Sequence, residues 1–170
     1  MPDNTSSHMS NEYDDKIEAT IPFYQEFHKT VIDLVKYTKT TPLFWLDTGC
    51  GTGTLCFEAA QKISDVKFTL ADPSNEMLSV AKNKLKSVEG VSFIQADSGS
   101  LDFKNDSFDI ITAIQCHHYL SKEAREHAVQ NCFRMLKPNG IFITFENILP
   151  FSEIGVEIAK KRWERFQIGE

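Results

Sequence analysis

Residues 46–53, LDTGCGTG, form a glycine-rich turn directly after the apolar run 43–46. In an open α/β sheet, a turn between a strand and the following helix is where the ligand binds. Glycines stand at 49, 51 and 53, and Asp47 lies two residues before the first. The dinucleotide fingerprint G-x-G-x-x-G would need a glycine at position 54, which is Thr54. The turn therefore predicts a ligand site, and Thr54 counts against a nicotinamide oxidoreductase.

Composition and charge narrow the class of partner. The 170 residues suffice for one domain with one core. A net charge of -6 argues against binding to nucleic acid or to an anionic membrane, and no apolar run reaches the length of a membrane span. The four cysteines form no CxxC pair, so they suggest neither a metal site nor a disulfide framework. We expect a cytoplasmic protein with a small-molecule partner.

Short apolar runs alternate with helical segments along most of the chain. The predicted strands are 43–47, 66–71, 91–96, 108–114 and 141–145. A loop is expected between the third and fourth strands, and Ser121 is expected to cap the helix after the fourth. This alternation predicts a doubly wound α/β fold, with a mostly parallel sheet of about five strands and helices on both faces.

The chain divides into three segments. Residues 1–12 lack apolar content and are predicted to be a disordered tail. Residues 13–40 are predicted to form a helical cap, with an amphipathic helix beginning at Thr20-Ile21-Pro22. Residues 41–170 are predicted to form the ligand-binding core, which ends in a helix over 152–167.

Polar residues follow the first four predicted strands, at the edge where parallel sheets bind ligands. Asp47, Asp72 and Asp97 follow strands one to three, and the segment 115–118, Gln-Cys-His-His, follows strand four. Carboxylates suit a ligand that donates hydrogen bonds from an ammonium group, a ribose diol and an exocyclic amine. These are the donor groups of S-adenosylmethionine.

Because of these motifs, residues 40–147 resemble a class I S-adenosylmethionine-dependent methyltransferase of the small-molecule type. The family has a Rossmann-like fold. The resemblance implies S-adenosyl-L-methionine as cofactor. Asp47 would lie near its ammonium group and Asp72 would accept hydrogen bonds from the ribose hydroxyls. The remaining residues that the resemblance places at the cofactor are Gly49 and Gly51 through their backbone, Met77 on the adenine, Asp97 and Ser98 at the adenine edge, Gln115 after strand four, and Tyr24.

The N-terminal segment contains Tyr24, Tyr13 and His28, and in similar enzymes this segment folds over the cofactor.

The proposed reaction is methyl transfer to an unidentified small acceptor. A general base is needed only when the attacking atom carries a proton, and the candidates are His117 and His118. Adjacent side chains diverge, so at most one of the two is expected to face the site. The alternative is a catalytically silent S-adenosylmethionine-binding module that regulates or scaffolds a partner.

Similar methyltransferases continue after the fifth strand with a helix and two further strands. In this sequence only 168–170 follow the predicted last helix, so the last two strands of the fold are missing. Strand five would then be an exposed apolar edge, which is an aggregation hazard. We expect that either a missing C-terminal segment or a partner chain, such as a second copy, covers this edge.

Overall fold

A computed structural model of the chain describes residues 6 and 8–169. The strands are β1 (Leu43–Thr48), β2 (Val66–Asp72), β3 (Val91–Gln95), β4 (Phe108–Ile114) and β5 (Leu136–Phe145). The helices are α1 (Tyr13–Thr20), α2 (Tyr24–Thr38), α3 (Thr54–Ala60), α4 (Asn75–Lys84), α5 (Lys122–Met135) and α6 (Glu153–Ile168), with a 3-10 turn at His117–Tyr119.

All neighbouring strands pair in parallel, in the order β3-β2-β1-β4-β5. The chain therefore leaves β1 toward one edge of the sheet and returns to its other side with β4. This change of direction is the switch point at which open α/β sheets form a crevice beyond the carboxyl ends of their strands. The predicted fold class is confirmed.

Alternating side chains of the central strands pack into two cores. Trp45, on one face of β1, packs with residues of α2, α3 and α4. Leu46, on the opposite face, packs with Cys132 and Met135 of α5. Residues 96–107 join β3 to β4 without a helix, as predicted, and Leu101 of this loop is buried in the second core.

The N-terminal segment differs from its prediction. Two helices replace the single helix expected to start beside Pro22, because a proline disfavours the helical conformation in the residue before it. Ile21 is extended, and Phe23 adopts a left-handed φ of 61° before α2 begins. Helix α1 is therefore a separate element that can lie at its own angle over the sheet edge.

β5 is also longer than its prediction. Its pairing with β4 is irregular: Phe108 pairs with Leu136, and Ile110 pairs with Ile141. The residues between these pairs form a bulge in which Asn139 has a φ of 64°. The turn chemistry expected at 138–140 thus lies inside the strand.

Both ends of the described chain meet at α1. The Trp163 indole N–H on α6 donates to the Thr20 carbonyl over 2.8 Å. Near the other end, the His8 ring contacts the Thr20 hydroxyl at 2.7 Å. Residues 1–5 and 7 of the predicted disordered tail lie outside the described residues.

None of the helices within the described residues is long and apolar enough to cross a membrane.

Candidate functional site

Two glycines in the turn after β1 differ in what an added side chain would meet. Gly49 has a φ of 67°, and a Cβ there would lie 2.4 Å from the Cβ of Cys116, so this glycine lets the turn pack on the end of β4. Gly51 has a φ of 53°, and a Cβ there would meet none of the described atoms within 4 Å. The backbone at Gly51 thus borders open space that a ligand can approach.

A cavity of about 320 Å³ lies beyond the carboxyl ends of the strands, and we call it the larger cavity. This volume is in the range of small-molecule sites. Tyr13 of α1 and Tyr119 after β4 contribute to its wall. The predicted site residues in its lining are Gly49, Gly51, Asp72, Met77, Asp97, Ser98, Gln115 and His117.

A second cavity of about 30 Å³, the smaller cavity, adjoins the first. Asp47, Tyr24 and His28 line it, and it shares Tyr13 and Gly51 with the larger cavity. Each residue that the sequence predicted for cofactor binding therefore lines one cavity or the other. Most of them lie at or just beyond the carboxyl ends of neighbouring parallel strands, whereas Tyr24 comes from α2 and Met77 from α4.

Asp47 is a buried carboxyl group in the lining of the smaller cavity. Its Oδ1 accepts a hydrogen bond from the Thr112 hydroxyl over 2.6 Å, and its Oδ2 accepts one from the Cys56 thiol over 3.7 Å. Burial raises the pKa of Asp47 to about 7, although both hydrogen bonds act in the opposite direction. A cationic group in the smaller cavity would favour the ionised form.

Asp72 ties the end of β2 to the glycine turn. Its Oδ2 accepts from the backbone N–H of Gly51 over 2.9 Å, and its Oδ1 accepts from that of Ser74 over 2.9 Å. Asp72 also lines the larger cavity, where its carboxylate faces the space open to a ligand.

Asp97 and Ser98 form the wall of the larger cavity beyond β3. Asp97 is exposed, and its Oδ1 accepts from the backbone N–H groups of Gly99 and Ser100 over 2.8 and 3.0 Å. Ser98 is buried, with its hydroxyl 2.8 Å from that of Thr48. Nearby, Met77 is buried in the first turn of α4. These contacts hold the cavity wall in place.

The two adjacent histidines point in different directions, as predicted. His117 lines the larger cavity; its Nε2 lies 2.9 Å from the Ser98 hydroxyl, and burial lowers its pKa. His118 is in the lining of neither cavity, and its Nδ1 lies 2.7 Å from Oε2 of Glu146. Glu146 lies 28 residues further along the chain and was not among the residues predicted from the sequence.

Gln115 combines two unfavourable features in the wall of the larger cavity. Its φ is 54°, a left-handed value that is uncommon for a residue with a side chain. Its Nε2 donates to the Phe145 carbonyl over 3.3 Å, whereas its buried Oε1 has no hydrogen-bond partner among the described residues. Such costs concentrate at functional positions.

Helix α1 contributes two residues that were not among the predicted cofactor-binding residues: Tyr13, which was expected only as part of the segment over the cofactor, and Asp14. Tyr13 lines both cavities, shares a hydrogen bond with Tyr24, and has a pKa raised to about 12 by burial, so its hydroxyl stays protonated. Asp14 accepts hydrogen bonds from the hydroxyls of Thr52 over 2.6 Å and Thr54 over 3.1 Å. The i, i+4 spacing of Tyr13 and buried Ile17 is the sequence signal that could have indicated this helix.

Comparisons with known proteins agree with this architecture. The ubiquinone/menaquinone biosynthesis C-methyltransferase UbiE of Vibrio parahaemolyticus is 35% identical over 112 residues, which cover 64% of this chain and 42% of that protein. The carboxy-S-adenosyl-L-methionine synthase of Campylobacter lari is 26% identical over 95% of this chain and 67% of its own length. The chain thus spans about two fifths of the first relative and two thirds of the second.

A solved structure of an S-adenosylmethionine-dependent methyltransferase from Clostridium acetobutylicum superimposes with a TM-score of 0.65 at 27% identity, covering 79% of this chain and 55% of that one. The sequence profile described as "Methyltransferase domain" matches residues 46–140, which is more than half of the chain. The match begins at the glycine turn and ends at the β5 bulge. The chain therefore belongs to the methyltransferase domain family.

Proposed function

We propose that the chain binds S-adenosylmethionine and transfers its methyl group to a small-molecule acceptor. The observation that carries this proposal is the pair of adjoining cavities with a buried carboxyl group, Asp47, in the smaller and Asp72 and Asp97 in the larger. One ligand could place a cationic end beside Asp47 and a nucleoside end beside Asp72 and Asp97. Open space at Gly51, where the two cavities join, supports the fit.

Each part of the ligand has a candidate residue. Asp47 would accept hydrogen bonds from the ammonium group in the smaller cavity, which Tyr13 and Tyr24 also line. Asp72 would accept from the ribose hydroxyls. Met77 would pack on the adenine, while Asp97 and the Ser98 backbone would hydrogen-bond to its edge.

The relatives' names support the donor and leave the acceptor open. The Vibrio relative is named a C-methyltransferase of quinone biosynthesis, and the Campylobacter relative a carboxy-S-adenosyl-L-methionine synthase. The Clostridium protein is named only by its dependence on S-adenosylmethionine. Since two of these activities differ in product, the donor is what the family resemblance supports best.

The protein's own contribution would be alignment and exclusion of water. The sulfonium supplies an electrophilic methyl group with a good leaving group already attached. Holding both reactants in line can lower a barrier by about 7–11 kcal/mol. Helix α1 covers the sheet edge with Tyr13 and is tied down through Asp14, so it would shield the reacting atoms from solvent.

A transfer assay tests this function. The chain, with S-adenosylmethionine, is incubated with small phenols, amines and thiols, and S-adenosylhomocysteine formation is measured. We expect acceptor-dependent S-adenosylhomocysteine formation with the wild type. The rate of formation should be at least tenfold lower with Asp72→Asn. Donor binding without transfer to any acceptor would favour the silent binding module instead. The small-molecule partner and the cytoplasmic location stay predictions. So does the cover over the β5 edge: light scattering tests for a partner copy, and mass spectrometry of the native gene product tests for a further segment.

A further inference from the structure

We propose that the outward face of helix α6 binds to the surface of an anionic lipid membrane. This face is a stripe of five exposed residues, which we call the α6 stripe: Ile154, Ile158, Lys161, Arg165 and Ile168. The inference goes beyond the proposed methyl transfer and does not depend on it.

The spacing of these five residues places them on one side of the helix. They follow one another at intervals of three or four residues, which is the period of an α-helix. The side chains of Ile154, Ile158 and Ile168 are exposed by 71%, 53% and 65%. Three large apolar side chains therefore stand in solvent along about 20 Å of helix.

The opposite side of α6 packs on α1. Trp163, whose indole N–H donates to the Thr20 carbonyl, lies two and a half turns from Ile154 and so on the other side of the helix. Val156 and Ala159 share the side of Trp163 and are partly buried. Since α6 contacts α1 through this side, the α6 stripe points away from the rest of the described chain.

Basic residues lie within and beside the α6 stripe. Lys161 and Arg165 stand between the isoleucines, and Arg162 borders them. In the part of the chain that the structure describes, none of these three cations forms an ion pair. The acidic residues of the helix share the opposite border of the stripe: Glu153, Glu157 and Glu164. The stripe is therefore apolar and positively charged at once.

The net charge of -6 is not evenly distributed along the chain. Residues 148–169 hold four basic and three acidic residues, so the excess of acids lies elsewhere. The expectation against an anionic membrane follows from the charge of the whole chain. A charged surface acts mainly on groups within a Debye length, so the local charge of α6 decides here.

A face that combines apolar and basic residues is typical of helices that lie in a membrane interface. The isoleucine side chains can enter the acyl boundary, while the long side chains of Lys161 and Arg165 reach the headgroup phosphates. The loop directly before the helix adds further exposed apolar side chains: Ile148, Leu149 and Phe151. A patch of this kind marks an interaction surface.

A second copy of the chain suits the α6 stripe less well than a lipid surface does. Lys161 lies midway between Ile154 and Ile168, so a two-fold contact centred on the stripe would bring the Lys161 side chains of both copies together. The stripe is also in the lining of neither cavity, so it offers no groove to a partner's side chain. Anionic lipid would cover the isoleucines and neutralise the cations.

Vesicle sedimentation tests the proposal with the 170-residue chain. The chain should bind vesicles of equal parts phosphatidylcholine and phosphatidylglycerol at least tenfold more tightly than vesicles of phosphatidylcholine alone. Binding should weaken as the salt concentration rises. On the mixed vesicles, amide hydrogen exchange should become slower in residues 153–168 and stay unchanged in residues 122–135 of α5.

A double variant tests the apolar part of the α6 stripe. Ile154→Ser/Ile158→Ser should bind the mixed vesicles at least tenfold more weakly than the wild type, because less apolar area enters the interface. Tyr37→Ser/Phe133→Ser is the matched control, because it changes two exposed residues of α2 and α5, and it should bind as the wild type does.

A second double variant tests the charges. Lys161→Gln/Arg165→Gln should lower the preference for the mixed vesicles at least threefold. Lys29→Gln/Lys36→Gln, which removes the same charge from exposed positions of α2, should keep the wild-type preference.

Several results would overturn the proposal: absence of vesicle binding, equal binding to both kinds of vesicle, slower exchange outside α6 alone, or equal losses in the stripe variants and their controls. A dimer in light scattering that Ile154→Ser/Ile158→Ser disperses, without vesicle binding, would assign the stripe to a second copy instead. Thermal unfolding checks that each variant is folded. If one is not, the lipid preference, salt dependence and exchange of the wild type still decide.

Discussion

Asp14 of α1 forms an ion pair with Lys84 of α4, with 2.6 Å between Oδ2 and Nζ. The other carboxylate oxygen of Asp14 accepts from Thr52 and Thr54, which flank the last glycine of the turn. Lys84 also donates to Thr54 over 2.6 Å. A small polar cluster therefore joins α1 to the glycine turn and to the end of α4. Helix α1, held in this way, supplies Tyr13 to both cavities.

Asp14→Asn is expected to loosen α1 without unfolding the protein. The ion pair is partly exposed, so the loss of global stability should stay below about 1 kcal/mol. Amide hydrogen exchange in residues 13–20 should become faster, and S-adenosylmethionine affinity should fall by about tenfold. Asp15→Asn is the control, because it makes the same change on an exposed residue of α1. Equal exchange in the two variants would contradict the role given to Asp14.

The two glycines at the site should respond differently to alanine. Gly49→Ala places a Cβ 2.4 Å from that of Cys116 in addition to a strained φ, so we expect a loss of about 2–5 kcal/mol in the free energy of unfolding. Gly51→Ala has strain but open space, so about 1–2 kcal/mol is expected, with at least tenfold weaker ligand binding. Urea unfolding and calorimetry measure both. Equal stability losses would show that the packing at Gly49 is not as described.

The buried Asp47 should make the stability of the apoprotein decrease as the pH rises. Burial raises its pKa to about 7 in the folded state, whereas an unfolded aspartate titrates near 3.9. The folded state therefore holds a proton that the unfolded state has released, and stability falls as the pH rises through this window. Between about pH 5 and pH 7 the wild type should lose roughly 1.4 kcal/mol per pH unit relative to Asp47→Asn.

Urea unfolding of the wild type and Asp47→Asn at several pH values provides the check. Above about pH 7 the difference should level off, because Asp47 is then ionised in both states. Parallel stability curves over the whole range would mean that Asp47 titrates normally.

Removing the Gln115 Oε1, which has no hydrogen-bond partner among the described residues, should stabilise the apoprotein. In Gln115→Met the buried Oε1 is gone, and the Phe145 carbonyl still accepts from the backbone N–H of residue 115 over 2.8 Å. A gain of about 1 kcal/mol is expected by thermal unfolding. Gln95→Met is the control, because that exposed glutamine donates to the Pro73 carbonyl and leaves no buried group behind. A loss of stability in Gln115→Met would mean that Oε1 has a partner.

The strands and the residues at their ends could be predicted from the sequence, because both depend on patterns among residues that are close in the chain. Apolar runs predict buried parallel strands, and the carboxyl ends of such strands share one edge, so Asp47, Asp72 and Asp97 were expected together. The placement of α1 could not be predicted in this way. Its contact with the site joins Asp14 to Thr52, 38 residues apart, through polar side chains that carry no periodic signal.

Contacts at long sequence separation also explain what was missed around β4 and β5. Glu146 reaches back to Cys116, 30 residues away, and nothing near either residue in the sequence marks the pairing. The bulge that places Ile141 opposite Ile110 depends on strand pairing, whereas the sequence at 138–140 indicated only a turn. Local patterns thus identified the residues at the strand ends, while these long-range pairings required the tertiary structure.

Calorimetric titration of the chain with S-adenosylmethionine, S-adenosylhomocysteine and NAD tests the central claim most directly. We predict one site per chain for both adenosyl ligands, no binding of NAD, and at least tenfold weaker binding of both ligands to Asp72→Asn. Absence of binding by S-adenosylmethionine and S-adenosylhomocysteine to the folded wild-type chain would contradict the account.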